Sequence, residues 1–302
     1  VAISFYDGET SLRKSASFRL LPSLTRRNAP CKAVANDPAW TTLLFSTGQA
    51  HENVNGGFPS EIFCGLTESL ARAAIGIAEE NDQRNTYLRY VLEPPSKVLL
   101  LAIENKKFIE HPTGESRTMG ALEALRGVAR ASLSKRHEFS TNHFFEMLSP
   151  LTRVIENAIS ANSSLVISRA MKLSETLCEI FAMDEENTDR QQRIREFTLS
   201  IVSIFAKSEP TKMTAATLTR LRDEEIKANY KCLKSLLRAL THLASAWNDE
   251  DKEKLASVVF SGLAVVIPLL TPDALLLPKL RNCYFSLLSY SMESFADIIV
   301  KN

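Results

Sequence analysis

The sequence has no excess of charge of either sign. Its 302 residues carry 36 Lys and Arg side chains against 35 Asp and Glu, which leaves a net charge of +1 at pH 7. A dedicated nucleic-acid-binding protein presents a strong basic patch or stripe, so this balance predicts no direct nucleic-acid partner. Any charged partner has to be met by a local cluster of charges rather than by the field of the whole chain.

Cysteine and histidine are also scarce. The five cysteines lie far apart and form no C-x-x-C pair, and the five histidines include no H-E-x-x-H motif. An odd number of widely spaced cysteines argues against a disulfide framework and against a zinc site, and it favours a reducing compartment. We therefore expect no metal ion and no cofactor. Three of the cysteines are expected to be buried on helices: Cys178, Cys232 and Cys283.

The motifs of the common enzyme classes are missing. The glycine-rich segment from Gly48 to Gly57 lacks the G-x-x-x-x-G-K-[ST] spacing of a phosphate-binding loop, so it is expected to be a flexible loop. The G-x-S-x-G motif of a hydrolase nucleophile does not occur either. We therefore predict that the chain is not an enzyme, because an enzyme needs a deep pocket with converging polar groups.

No apolar run is long enough to span a membrane. Residues 256–270 are the most apolar stretch, but Pro268, Pro272 and Asp273 interrupt it. A membrane-spanning helix needs about 20 consecutive apolar residues. This stretch therefore predicts a buried helix, and no membrane insertion is expected.

The sequence does contain strong helical periodicity from residue 60 onward. Apolar residues recur three and four positions apart, which places them on one face of a helix, whereas a strand would need a period of two. The pattern predicts an all-α fold. The clearest stripe comprises Phe144, Met147, Leu148, Leu151, Val154, Ile155 and Ala158.

Helix starts and breaks between the stripes divide the chain further. Pro94 and Pro95 are expected to separate two helices, with Ser96 starting the second, and Thr141 is expected to cap a later one. Pro150 lies inside a stripe, so it is expected to kink its helix without ending it. The predicted helices are 38–46, 60–79, 82–92, 96–107, 116–132, 141–160, 163–182, 188–207, 214–245, 252–270 and 277–299.

The helices group in pairs. Repeating units of two helices are typical of HEAT and armadillo arrays, in which neighbouring pairs stack into a continuous core. We therefore predict an α-solenoid, a superhelix of antiparallel HEAT-like helix pairs, over residues 60–302, preceded by an irregular, partly helical segment at 1–58. The units are expected near 60–107, 116–160, 163–207, 214–270 and 277–302, the last of them incomplete.

Both ends of the sequence look cut. The chain opens on Val1, and its last predicted helix is still apolar at Phe295, Ile298 and Ile299. Solenoids normally end in capping repeats with a polar outer face. We therefore expect the chain to be a piece of a longer protein.

Two acidic clusters lie between predicted helices and are the candidate partner-binding residues. Carboxylates at a helix start also favour the positive end of the helix dipole, which is a purely structural role. The functional alternative is a pair of acidic ridges on neighbouring units that attract a basic partner. The candidate residues are Asp184, Glu185, Glu186, Asp249, Glu250 and Asp251.

A basic set lies on one of the middle helices and the segment that follows it. Arg126 and Arg130 share a helix face, but no aromatic residues alternate with them as they would in a nucleic-acid-binding surface. A solvated helix face is therefore the simpler expectation, and binding of acidic groups or phosphate is the alternative. The full set is Arg117, Arg126, Arg130, Lys135 and Arg136.

Several stretches resemble a known family. The segments ALEALRGVARAS (121–132), FFEMLSPLTRVIENA and SIVSIFAKSEPTK, and above all VVFSGLAVVIPLLTPDALLLPKLRNCYFSLLSYSMESF (258–295), resemble the middle-to-late repeats of exportins. Exportins are karyopherins of the importin-β superfamily.

The resemblance implies a nuclear transport receptor that shuttles between nucleus and cytoplasm. Receptors of this kind carry folded protein cargo past nucleoporins under control of the GTPase Ran. The implied cargoes are the hypusine-bearing translation factor and Smad proteins, with Ran bound by the full-length chain. The resemblance implies no catalytic residue. A structural α-solenoid, such as a nucleoporin or a coat-like assembly protein, would show the same periodicity and remains the alternative.

Overall fold

The computed structural model describes residues 19, 21–25, 38–52, 60–77, 81–134, 137–181, 188–208, 210–246 and 252–301. Over this part of the chain the fold is all-α, as predicted, and its only β pairing is an isolated bridge between Met213 and Leu270. The chain divides into two compact units, 1–150 and 151–302.

The α-helices are numbered in chain order over the described residues. They are α1 (Leu21–Thr25), α2 (Pro38–Glu52), α3 (Ser60–Ile77), α4 (Asn81–Glu104), α5 (Lys107–Glu110), α6 (Pro112–Ser134), α7 (Glu138–Ser160), α8 (Ser164–Phe181), α9 (Thr188–Lys207), α10 (Ala215–Thr219), α11 (Glu224–Ser245), α12 (Lys252–Val266) and α13 (Pro278–Lys301). Two 3₁₀ helices, Ile267–Leu269 and Ala274–Leu276, connect α12 to α13.

In the first unit, alternate helices pack against one another. Helices α1, α3 and α6 contact in succession, while α2 contacts α4, which also lies against α3 and α6. The start of α7 lies beside α4, where the guanidinium of Arg89 sits 5.5 Å from the ring centre of Phe139. The core of this unit includes Ile62, Leu66, Leu70, Leu92, Leu99, Leu122 and Leu125, together with Phe144, the first residue of the predicted stripe.

The second unit repeats this alternation. Helices α8, α11 and α13 contact in succession, and α9 contacts α12 beside them. Glu175 meets Arg238 and Glu179 meets His242, so the contact positions rise together and α8 and α11 run parallel. We call α1, α3 and α6 the first helices of the first unit, and α8, α11 and α13 those of the second unit. Within each unit the first helices stack on one another, and the second helices (α2 and α4, or α9 and α12) stack beside them. This is a helical-repeat arrangement.

Helix α4 corrects the predicted break at Pro94 and Pro95. The helix runs unbroken from Asn81 to Glu104 with both prolines inside it. Each interior proline removes a backbone hydrogen bond and costs roughly 3 kcal/mol in an exposed helix. Apolar residues buried on both sides of the prolines, among them Leu92 and Val98, keep the two halves in one packed element, so Ser96 does not start a new helix.

The predicted helix 214–245 is in fact two helices. A capping box at Thr214 starts α10, with the Thr214 amide donating to Thr217 Oγ1 at 2.8 Å, and a turn separates α10 from α11. No residue of α10 is buried, so no apolar face holds the two segments in line. Similarly, α12 ends at Val266, earlier than predicted, because the chain tightens into a 3₁₀ turn around Pro268.

Smaller differences concern helix ends. Helix α2 continues to Glu52, so the first part of the predicted loop 48–57 is helical, while residues 53–57 lie outside the described residues. Helix α7 begins at Glu138, so Thr141 is not its cap, and it runs through Pro150 as predicted. Across the part of the chain that the structure describes, no helix is both long and apolar enough to cross a bilayer.

Candidate partner-binding site

The predicted acidic clusters, Asp184 to Glu186 and Asp249 to Asp251, lie outside the described residues. The helices that flank them are described. The first cluster follows α8 and the second follows α11, and these two helices are parallel neighbours. The two acidic segments therefore follow, along the sequence, helices that are neighbours in the second unit. The segments themselves are not described, so the prediction of neighbouring ridges stays a prediction.

Arg126 and Arg130 on α6 are both held in ion pairs. Arg126 pairs with Glu123 at 3.0 Å and donates to the Sγ of Cys64 at 3.1 Å, while Arg130 pairs with Glu68 at 3.2 Å. The expectation of a solvated face is right only in part: Arg130 is 44% exposed, whereas Arg126 is 15% exposed, and α3 and α6 place buried carboxylates beside both guanidinium groups. Burial raises the pKa of the Cys64 thiol, and Arg126 opposes that shift.

The same arrangement recurs in the second unit. Glu175 on α8 is 2% exposed and pairs with Lys172 at 2.6 Å and with Arg238 of α11 at 3.0 Å. In each unit a buried glutamate on one first helix meets an arginine on the next first helix, 62 residues later (130 − 68) or 63 later (238 − 175).

The sequence carries a signal for this repeat that the periodicity analysis missed. Glu68 lies in Leu-Thr-Glu-Ser-Leu (66–70) and Glu175 in Leu-Ser-Glu-Thr-Leu (173–177). Leu66 and Leu70, four positions apart, share one face of α3, and Glu68 lies on the opposite side of the helix. Glu68 is nevertheless buried, because neighbouring helices cover α3 on both sides. A buried carboxylate needs a cationic partner, and the arginine one repeat later supplies it.

One serine and one histidine approach each other as a catalytic pair would. The Oγ of Ser96 lies 2.9 Å from Nε2 of His143 and donates its own proton to the carbonyl of Leu92 at 2.7 Å. The histidine nitrogen is then the donor, which is the reverse of a base that activates a nucleophile. Burial also lowers the pKa of His143. The pair therefore bridges α4 and α7 structurally.

A cavity of about 170 Å³ opens in the second unit. Its wall comes from the turn between α7 and α8, the end of α9, the segment before α10, and the first two turns of α11. At roughly 30 Å³ per water molecule, it has room for a group of side-chain size. The lining residues are Ile159, Asn162, Ser164, Ile167, Phe205, Ser208, Pro210, Thr211, Glu225, Asn229 and Cys232.

Local hydrogen bonds shape this cavity. Asn162 takes a positive φ of 53° where the chain turns from α7 into α8, and the Asn229 side-chain amide donates to the carbonyl of Thr211 at 2.7 Å. The thiol of Cys232 lies in the wall, and its complete burial raises its pKa to about 12. It is therefore a neutral, apolar part of the lining near pH 7.

Four apolar side chains of the last helix are exposed: Phe285, Met292, Ile299 and Val300, of which Met292 is 66% exposed. Phe295 has non-helical backbone angles (φ −122°, ψ 21°), so Ile299 and Val300 lie beyond a kink. The burial of Cys178 and Cys232 is as predicted, whereas Cys283 of α13 is only partly covered.

Comparison with protein-family models finds no match, and comparison with curated proteins likewise finds no similar sequence. What the described residues establish is an all-α fold with a helical-repeat arrangement inside each compact unit.

Proposed function

We propose that the chain is a length of α-solenoid that binds other proteins and belongs to an exportin-type nuclear transport receptor similar to exportin-4. The observation that carries the proposal is the repeated stacking of first helices within each unit, joined by Glu68–Arg130 in one and Glu175–Arg238 in the other. Stacked helix pairs of this kind expose long side-chain rows on which partners make many modest contacts.

Charge supports a protein partner with a basic surface. The near-neutral chain concentrates acidic residues in the two segments that follow α8 and α11. Local clusters of one sign accelerate the diffusional encounter with a partner of the opposite sign and orient it before close contacts form. Basic proteins or basic segments of proteins are the cargo chemistry that fits.

The test is whether cargo binding depends on the nucleotide bound to Ran. The affinity of the hypusine-bearing translation factor, and separately of a Smad protein, is measured for this chain and for the receptor that contains it. Ran loaded with GTP or with GDP is present in each case. We expect tighter cargo binding to the receptor with Ran-GTP than with Ran-GDP.

A cargo affinity that does not change with the nucleotide, together with a lasting complex with another structural protein, would favour an α-solenoid scaffold of the nucleoporin or coat type instead. Absence of binding to either cargo under both nucleotide conditions would contradict the exportin proposal for these cargoes.

A further inference from the structure

The cavity between α7, α9 and α11 combines hydrogen-bond acceptors with an apolar wall. Glu225 lies in the first turn of α11, and no hydrogen bond or ion pair joins its carboxylate to another described residue. Asn229, one turn further on, donates a hydrogen bond from Nδ2 to the carbonyl of Thr211, which leaves its Oδ1 as an acceptor. Ser208 directs its hydroxyl proton to the carbonyl of Phe205 at 2.7 Å, so its oxygen lone pairs also accept.

Glu225 is the one charged side chain among the described residues that line the cavity. Lys207 and Lys212 are exposed close by in the sequence but are not among those lining residues. Helices α7 and α9 both end beside it, because Ile159 and Phe205 belong to their last turns. Helices α8 and α11 begin beside it, at Ser164 and Glu225, so the partial charges of the four helix ends oppose one another. The carboxylate of Glu225, and not the helix dipoles, therefore gives this space its negative charge.

The apolar wall favours an organic cation over a metal ion. A metal ion gains nothing from contact with apolar side chains, and these form much of the wall: Ile159, Ile167, Phe205 and the neutral thiol of Cys232. A guanidinium group is planar and weakly hydrated, stacks on aromatic rings, and spreads its donors over several directions. It can meet acceptors at the mouth while its stem and flat face contact the apolar wall.

We propose that this cavity receives the arginine side chain of a partner protein. The inference rests on the proposed function only for the source of the arginine, since the chemistry of the cavity stands by itself. Glu225 binds the guanidinium as its counter-charge, and Asn229 and Ser208 accept further hydrogen bonds from it. The cavity thereby supplies a point of sequence specificity on a surface that otherwise binds through long-range charge.

The test uses N-acetyl-arginine amide as the probe and the δ1 methyl groups of Ile159 and Ile167 as reporters. Both isoleucines line the cavity, so methyl NMR titrations of the intact chain report its occupancy directly. We expect saturable shifts of both methyl groups with the arginine amide. The uncharged norleucine amide and the acidic glutamate amide should give much smaller shifts at the same concentration.

The variant pair Glu225→Gln and Glu224→Gln provides the matched control. Both residues are exposed and lie in the first turn of α11, so their helix-dipole contributions are alike, but only Glu225 lines the cavity. We expect Glu225→Gln to weaken arginine-amide binding about tenfold, since an ion pair becomes a hydrogen bond from the charged guanidinium to a neutral amide oxygen. Glu224→Gln should leave the affinity unchanged.

Three results would overturn the proposal: no shift of either reporter methyl, equal binding of the norleucine amide, or an unchanged affinity in Glu225→Gln. The result of this cavity test is independent of the result of the Ran-dependence measurement. The cavity can bind the arginine amide whether or not cargo affinity depends on nucleotide, and a failed cavity test leaves the nucleotide test intact.

Discussion

Gly127 lies where α6 packs closely against the backbone of α3. A Cβ atom at this glycine would lie 2.1 Å from Oγ1 of Thr67, 2.3 Å from the carbonyl oxygen of Cys64 and 2.8 Å from the backbone nitrogen of Glu68. Two of these three atoms belong to the backbone, so no side-chain rotation makes room. We predict that Gly127→Ala forces the two helices apart.

The expected cost follows from three contributions. Overpacking a tight core costs about 1–3 kcal/mol, and the backbone clash places this case near the upper end. Separation also weakens the 2.7 Å hydrogen bond from Thr67 Oγ1 to the carbonyl of Ala124, at about 1 kcal/mol. Alanine returns about 1 kcal/mol through its higher helix propensity. The free energy of unfolding should therefore fall by about 3 kcal/mol.

The control is Gly262→Ala on α12. Its added Cβ would meet only the side chain of Leu240, with the nearest methyl at 2.5 Å, and this side chain can change rotamer. Helix propensity offsets part of that cost, so the loss should stay within about 1 kcal/mol.

Urea unfolding followed by circular dichroism measures the overall change. The chain has two compact units and two-state unfolding is not assumed, so amide hydrogen exchange locates the effect. Protection should fall in α3 and α6 for Gly127→Ala and remain in α8 and α11. An unfolding midpoint for Gly127→Ala equal to or above that of the parent chain would refute the close-packing argument, as would equal loss of protection in both units.

Three further predictions concern charges. Glu175→Gln removes the carboxylate shared by Lys172 and Arg238. Because Arg238 is 45% exposed and can turn to water, we expect the free energy of unfolding to fall by about 2 kcal/mol. An unchanged urea midpoint would contradict this. Burial lowers the pKa of His143, so its ring binds a proton more tightly in the unfolded chain, and stability should fall as the pH drops below about 6.5. His143→Gln should therefore flatten the dependence of the urea midpoint on pH between 7 and 5. An identical slope in the variant and the parent chain would disprove this. The last variant changes four acidic residues to lysine: Glu185, Glu186, Glu250 and Asp251. It should slow association with a basic cargo in stopped-flow measurements while the circular dichroism spectrum stays unchanged. An unaltered association rate at low salt would count against the proposed acidic ridges.

The helices themselves could be predicted because their signal is local. Helix α9 was predicted at its observed bounds, 188–207, since an apolar stripe and a first-turn acid both lie within it. The failures occurred where local rules and packing disagree. Proline rules predicted a break at Pro94, but apolar packing on both sides keeps α4 in one piece. The absence of buried residues in α10 explains the opposite error at 214–245.

The candidate site was harder to predict from the sequence. The acidic segments were visible as runs of charge, but the cavity was not, because its wall comes from residues 159–232 on separate elements. In the sequence, Glu225 and Asn229 are ordinary polar residues at a helix start. They become part of a cavity only because α7 and α9 end beside them in the folded chain.

The amino-acid sequence by itself determined that the chain is helical, where most of its helices lie, and which faces are apolar, because backbone hydrogen bonding and side-chain periodicity act within a few residues. The tertiary structure alone decided which charges are buried. Glu68 and Arg130 are 62 residues apart (130 − 68) and become an ion pair only when first helices stack. The same stacking pairs the arginines of α6 with buried carboxylates and covers most of Arg126, while Arg130 stays 44% exposed. The free energy of a charge depends on what lies around it in space.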